Sequence, residues 1–174
     1  MLQITIEQGA AGPEARSVRP RILNATSGSA ASTAATAAAA VIANERDAEL
    51  VVVHVCAPTV VRVGRLAATI VHNQRLGDPH ANPVLRVARQ VAWANGAFAR
   101  LILISGDPVS AILWVAETLA VELIVIGARP SRVPTVLSGP TRYRIRRDAS
   151  CPVRVVPLVG GPQPEALPRT VRAT

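Results

Sequence analysis

The sequence predicts an α/β fold built on a parallel sheet. Three observations predict it. Five short aliphatic runs read as strands, the clearest of them β-branched throughout. Helix-compatible stretches alternate with these runs. Capping or turn residues punctuate the junctions. At 174 residues one domain is expected, and an apolar fraction of 49% is enough for a packed core rather than a disordered chain. Four aromatic residues in all mean that this core must be aliphatic.

Each element has its own reason. Residues 1–20 mix Gly, Pro, Arg and Glu without a sustained pattern and read as an N-terminal arm. Residues 21–26 are a strand ending in the Ser27-Gly28-Ser29 turn, where Ser27 or Ser29 can cap a helix. Residues 30–46 are Ala-rich and free of Pro and Gly, hence helical by propensity. Residues 49–56 are the β-branched run of a strand buried on both faces. Residues 58–82 carry no clean period; 60–72 is expected to be partly helical, and Leu76-Gly77-Asp78-Pro79 interrupts it. Helical spacing resumes over 83–95, with Val84, Val87, Ala88 and Val91 on one face and Gly96 closing it.

Residues 100–105 form the third strand. Asp107 caps a helix with Pro108 at its first position and Ala111, Ile112, Val115, Ala116 and Leu119 inward. Residues 121–126 form the fourth strand, 141–147 the last helix and 152–156 the fifth strand. Residues 158–174 hold three prolines and two glycines and read as a disordered tail. The alternation implies right-handed crossovers. Ligands of such sheets sit beyond the carboxyl ends of the strands, at the topological switch point. Two strand ends carry candidate chemistry: Ala25–Ser29 in the first, and the stretch from Gly127 to Thr141 after the fourth. A strand, a Gly-started loop and a helix N-terminus together make an anion cradle.

Five segments in order now carry a resemblance. They are Ile22-Leu23-Asn24-Ala25-Thr26-Ser27-Gly28-Ser29; Ala48-Glu49-Leu50 leading into Val53-His54-Val55; Gly106-Asp107-Pro108 before Ala111-Ile112-Leu113; Glu122-Leu123-Ile124-Val125-Ile126-Gly127; and Cys151-Pro152-Val153 running to Pro157. Over residues 21–157 the chain resembles the universal stress protein family. The resemblance implies a Rossmann-like open five-stranded parallel sheet of order 3-2-1-4-5 with helices on both faces. It also implies a regulatory stress-response domain that is non-enzymatic and forms a homodimer through its closing strand, Pro152 to Pro157.

ATP-binding members carry Gly, two residues, Gly, nine residues, Gly, then Ser or Thr, and an Asp after the first strand. Here Gly127 and Gly139 are present. Pro130 replaces the second glycine, eight residues separate it from Gly139, Pro140 follows Gly139, and Ser27 stands at the Asp position. Proline at 130 fixes φ and removes an amide donor. Ser27 lacks a carboxylate but keeps a hydroxyl. Arg129 and Arg132 can meet phosphates, and Ser138 and Thr141 offer hydroxyls. By the resemblance, a nucleotide would touch Ala25, Thr26, Ser27, Val55, Ile126, Gly127, Arg129, Arg132, Gly139 and Thr141. Three readings follow: a stress-response domain with little or no ATP binding, an ATP-binding and slowly hydrolysing version, and a basic adaptor for an acidic partner.

Other constellations carry less. Nineteen arginines, no lysine and 11 acidic residues give a net charge of +8. Without aromatic stacking platforms, this charge does not make a single-strand nucleic-acid site. No run reaches the roughly 18 apolar residues of a membrane span, and Glu7 and Glu14 with no apolar core argue against a secretory signal. A cytoplasmic location is expected.

No catalytic set is visible. His54 reads as a core histidine, while His72 and His80 near Asp78 match no standard metal spacing. Ser27-Gly28-Ser29-Ala30-Ala31-Ser32 resembles the pyrophosphate loop of ATP pyrophosphatases but lacks its second Gly and its Asp. Arg142, Arg144, Arg146 and Arg147 read as an exposed helix face. Trp93 and Trp114 lie on helices, either packed on the sheet or, for Trp114, on a surface patch. In the order 3-2-1-4-5, Cys56 and Cys151 sit three strands apart, roughly 14 Å, too far for a disulfide.

Overall fold

A computed structural model of the chain describes residues 3–6, 19–56, 59–63, 66–70, 76–128 and 139–158. The elements are β1 (Gln3–Ile6), β2 (Arg21–Thr26), α1 (Ala30–Glu45), β3 (Glu49–Cys56), β4 (Thr59–Val63), β5 (Leu66–Ile70), α2 (Pro83–Ala94), β6 (Ala99–Ser105), α3 (Pro108–Thr118), β7 (Leu123–Ala128), α4 (Gly139–Asp148) and β8 (Val153–Pro157). The main sheet runs β1-β6-β3-β2-β7-β8. Its strands from β6 to β8 are parallel and stand in the order 3-2-1-4-5 when β2 is counted first.

Strict alternation divides the core into two layers. Ile22, Leu50, Val52, Leu101 and Val125 face α1 and α2. Their neighbours Leu23, Val51, Val53, Ile102 and Ile124 face α3 and α4. Successive strand side chains point to opposite faces, so both layers draw on the same five strands. The Ala content now has a purpose. Ala31, Ala35, Ala39, Ala40 and Ala43 are all buried on α1, and their small volume lets that helix lie close on the sheet.

Several expectations are corrected. Residues 1–20 read as a patternless arm, yet Gln3–Ile6 pairs antiparallel with β6, Gln3 opposite Ser105. Its alternation of Ile4 and Ile6 with polar residues is too short to register as a strand. The described residues of the 60–72 stretch are strand, not helix. Thr59–Val63 and Leu66–Ile70 form an antiparallel hairpin, Thr59 opposite Ile70. Val60, Val61, Val63, Thr69 and Ile70 are β-branched, and this preference outweighs the helical reading. On α2 the buried residues are Leu85, Ala88 and Ala92. Val87 and Trp93 face outward, and Trp93 is 65% exposed rather than packed on the sheet.

Caps set the helix starts. Ser29 accepts from the Ser32 amide, Asn82 from those of Val84 and Leu85, and Asp107 from that of Ser110. Gly96, at φ +80°, follows α2 in the left-handed conformation expected of a closing glycine. The tail from residue 159 onward lies outside the described residues.

Candidate functional site

The sheet reverses direction at β2: the chain winds outward through β3 and β6, then returns to build β7 and β8 on the other side. Between the carboxyl ends of β2 and β7 opens a cleft of ≈ 260 Å³, where an open α/β sheet places its ligand. The floor is apolar, formed by Ala25, Val53, Val55 and Ile126. The β2–α1 turn adds the hydroxyls of Thr26, Ser27, Ser29 and Ser32. Pro108 and Ile112 come from α3, and Thr141, Arg142 and Ile145 from α4.

Seven of the residues singled out from sequence meet here: Ala25, Thr26, Ser27, Val55, Ile126, Gly127 and Thr141. Gly139 opens α4. Arg129 and Arg132 lie outside the described residues. Ser29, part of the Ala25–Ser29 strand end named from sequence, also lines the cleft, whereas sequence reasoning missed Ser32, Val53, Pro108, Ile112, Arg142 and Ile145. The Arg142–Arg147 stretch, read as one exposed face, divides. Arg144, Arg146 and Arg147 are exposed, while Arg142 is half-buried in the cleft wall beside the buried Ile145. A signal existed: Thr141 and Arg142 stand four and three residues before Ile145, so the three share one side of the helix.

Gly127 has a packing role independent of any ligand. A Cβ there would collide with the Ala31 carbonyl and come within 2.8 Å of the Ser32 amide nitrogen. The first turn of α1 therefore rests directly on the β7 backbone, and this contact brings Ser29 and Ser32 to the cleft.

A buried polar chain holds that turn. Asn24 donates from Nδ2 to the Val125 carbonyl at 3.1 Å and accepts from Thr36 Oγ1 at 2.8 Å. Thr36 Oγ1 also lies 2.9 Å from the Ser32 carbonyl. Thr26 Oγ1 donates to Ser32 Oγ at 3.3 Å, and Ser32 Oγ lies 2.8 Å from the Ser29 carbonyl. Every one of these groups has a partner, as burial requires. His54, half-buried near the end of β3, donates from Nδ1 to the Thr26 carbonyl at 2.9 Å, which ties β3 to the same strand end.

Asp107 is held below its ordinary carboxylate range, first by the Ser110 amide and further by the Ser110 hydroxyl and the charge of Arg144. Its Oδ2 accepts from the Ser110 amide at 3.0 Å and from the Ser110 hydroxyl at 2.9 Å, capping α3. Cys56 and Cys151 both carry free thiols, and burial pushes each above its usual value, away from reactivity. Among the described residues no His, Cys, Asp and Glu cluster could hold a metal ion, and no helix is long and apolar enough to cross a membrane.

The family model described as Universal stress protein family matches residues 19–157. The chain belongs to this family. Universal stress protein YxiE of Bacillus subtilis (strain 168) is 31% identical over 144 residues, covering 78% of this chain and 97% of its own. Two solved family members share the fold. One, crystallised in complex with cAMP, has a TM-score of 0.60 and 22% identity, covering 79% of this chain and 95% of its own. The other, from Archaeoglobus fulgidus in complex with dAMP, has a TM-score of 0.55 and 18% identity, covering 79% and 97%. The five parallel strands in the order 3-2-1-4-5 are thus those of a universal stress protein, and stress response is the family's role.

Proposed function

We propose that the cleft takes an adenine mononucleotide, and that the chain acts as a non-enzymatic, homodimeric stress-response domain. The cleft lining carries this reading: an apolar floor, hydroxyls from Thr26, Ser27, Ser29 and Thr141, the cation of Arg142, and no carboxylate among the described lining residues. Arginine and hydroxyl donors suit a single phosphate. The solved relatives in complex with cAMP and dAMP support a ligand with one phosphate. ATP is less well supplied. Pro130 and Pro140 each lack an amide donor where a longer phosphate chain needs one, and residues 129–138 contain no acidic residue to share in holding Mg²⁺.

A non-enzymatic role rests on the same lining, whose described residues include neither histidine nor carboxylate as a general base for hydrolysis. Dimerisation rests on the sheet edges. β1 covers one edge, while β8 pairs with β7 on one side and has no strand on its other side among the described residues. An edge of this kind accepts a second copy.

Calorimetric titration of the purified protein with AMP, cAMP and MgATP tests the ligand. AMP or cAMP is expected to bind more tightly than MgATP, and Arg142→Ala to weaken AMP by about tenfold. No binding of any of the three at millimolar concentration refutes the site, and tighter binding of MgATP refutes the mononucleotide preference. Sedimentation of the protein as a monomer across the micromolar range would refute the homodimer.

A further inference from the structure

The outer face of α2 is not explained by the cleft. Trp93 is 65% exposed and Phe98 78% exposed, with ring centroids 4.8 Å apart in an edge-to-face pair. Val87 on the same helix is also exposed. The chain has four aromatic residues and places two of them together in water, and an exposed aromatic pair of this kind suits the anchor of an interaction site.

Charge gives the partner's character. Arg86, Arg89 and Trp93 stand at i, i+3 and i+7 and share one stripe of the helix. Arg86 and Arg89 are both exposed, and Arg89 Nη1 lies 2.7 Å from His80 Nδ1, which steadies its side chain. No acidic residue occurs in α2. Rigid aromatic anchors flanked by arginines match the composition of protein-interface hot spots. Single-stranded nucleic acid fits less well, because it uses successive open ring faces along a groove. Here one ring face is already covered by its neighbour's edge.

We propose that the α2 face, centred on Trp93 and Phe98, docks an acidic protein segment that carries an apolar anchor. The arginine stripe pairs with the segment's carboxylates, and the aromatic pair seats its apolar side chain. The site lies on the opposite helical layer from α3 and α4 and does not depend on the ligand reading of the cleft.

The test selects phage-displayed random peptides on the full-length protein, with counter-selection on Trp93→Ala. Trp93 is exposed, so this variant keeps the fold, and circular dichroism checks that it does. The survivors are expected to be rich in Asp and Glu around at least one large apolar residue. Synthetic copies should bind the wild type at least about tenfold more tightly than Trp93→Ala. Arg86→Ala and Arg89→Ala should each weaken binding severalfold and reduce its salt dependence. Survivors without acidic enrichment, or equal binding to wild type and Trp93→Ala, would overturn the proposal. So would a fluorescent poly-dT strand that binds the wild type more tightly than the selected peptides and is lost in Trp93→Ala.

Discussion

Replacing Gly127 with alanine tests the packing that builds the cleft. The added methyl points at backbone, not at a side chain that could rotate away. It would meet the Ala31 carbonyl and come within 2.8 Å of the Ser32 nitrogen, where ordinary contact begins near 3.4 Å. The first turn of α1 must therefore retreat by more than about 0.5 Å, in an interior that does not deform continuously. That retreat loosens Ala31, Ala35 and Ala39 from the sheet and stretches the contact between Thr26 and Ser32.

Overpacking of a core ordinarily costs about 1–3 kcal/mol, and a backbone-on-backbone clash belongs at the upper end, about 3 kcal/mol. For a domain of this size that is a fall in Tm of about 6–12 °C. Thermal and urea unfolding followed by circular dichroism would measure it. Gly77→Ala is the control, since nothing lies within 4 Å of its added methyl; it should stay within about 0.5 kcal/mol of wild type. A Gly127→Ala protein as stable as the Gly77 control would refute the packing role and leave Gly127 explained only by ligand approach.

Other outcomes follow from the same geometry. Thr36→Val leaves the buried Asn24 Oδ1 without its donor and should cost about 1–3 kcal/mol; combined with Asn24→Leu, the loss should be smaller than the sum of the two, as urea unfolding of the full mutant cycle would show. Gly96→Ala forces an L-residue to φ +80° and should destabilise by about 1–2 kcal/mol in the same assay. Asp107→Ala removes the α3 cap and should cost about 1 kcal/mol at neutral pH. Because the folded Asp107 carboxyl titrates below its ordinary value of 3.8, the cap is fully present above that value and is lost as pH falls through the lower folded one. The gap between wild type and Asp107→Ala should therefore close in acid. Non-reducing mass spectrometry should find both Cys56 and Cys151 as free thiols, and a bridge between them would contradict the strand order.

The parallel sheet, its order of elements and most helix caps were legible in the chain because they rest on local signals. β-branched runs mark doubly buried strands, and Ser29, Asp107-Pro108 and Gly96 act on backbone within a few residues. The strand ends that meet at the cleft were legible too, since a wound α/β sheet sends its carboxyl ends to one side. The sequence by itself therefore determined the five parallel strands and the end of the sheet where a ligand would sit, but not β1 or the β4–β5 hairpin.

Only the tertiary structure decided which side chains complete that place. Ile112 and Arg142 reach the cleft from helices over eighty residues from Ala25 in the chain. Only the spacing to Ile145 sets Arg142 apart from Arg144 or Arg146 in the sequence, and the burial of Ile145 is what fixed the rotation of α4. Gly127 looked like a ligand glycine, and the packing of α1 gives it a second necessity. Trp93 read as core because large aromatics usually are, and only the docking of α2 through Leu85, Ala88 and Ala92 turned it to solvent. In each case the deciding contact joins elements distant in sequence, where local periodicity carries no information.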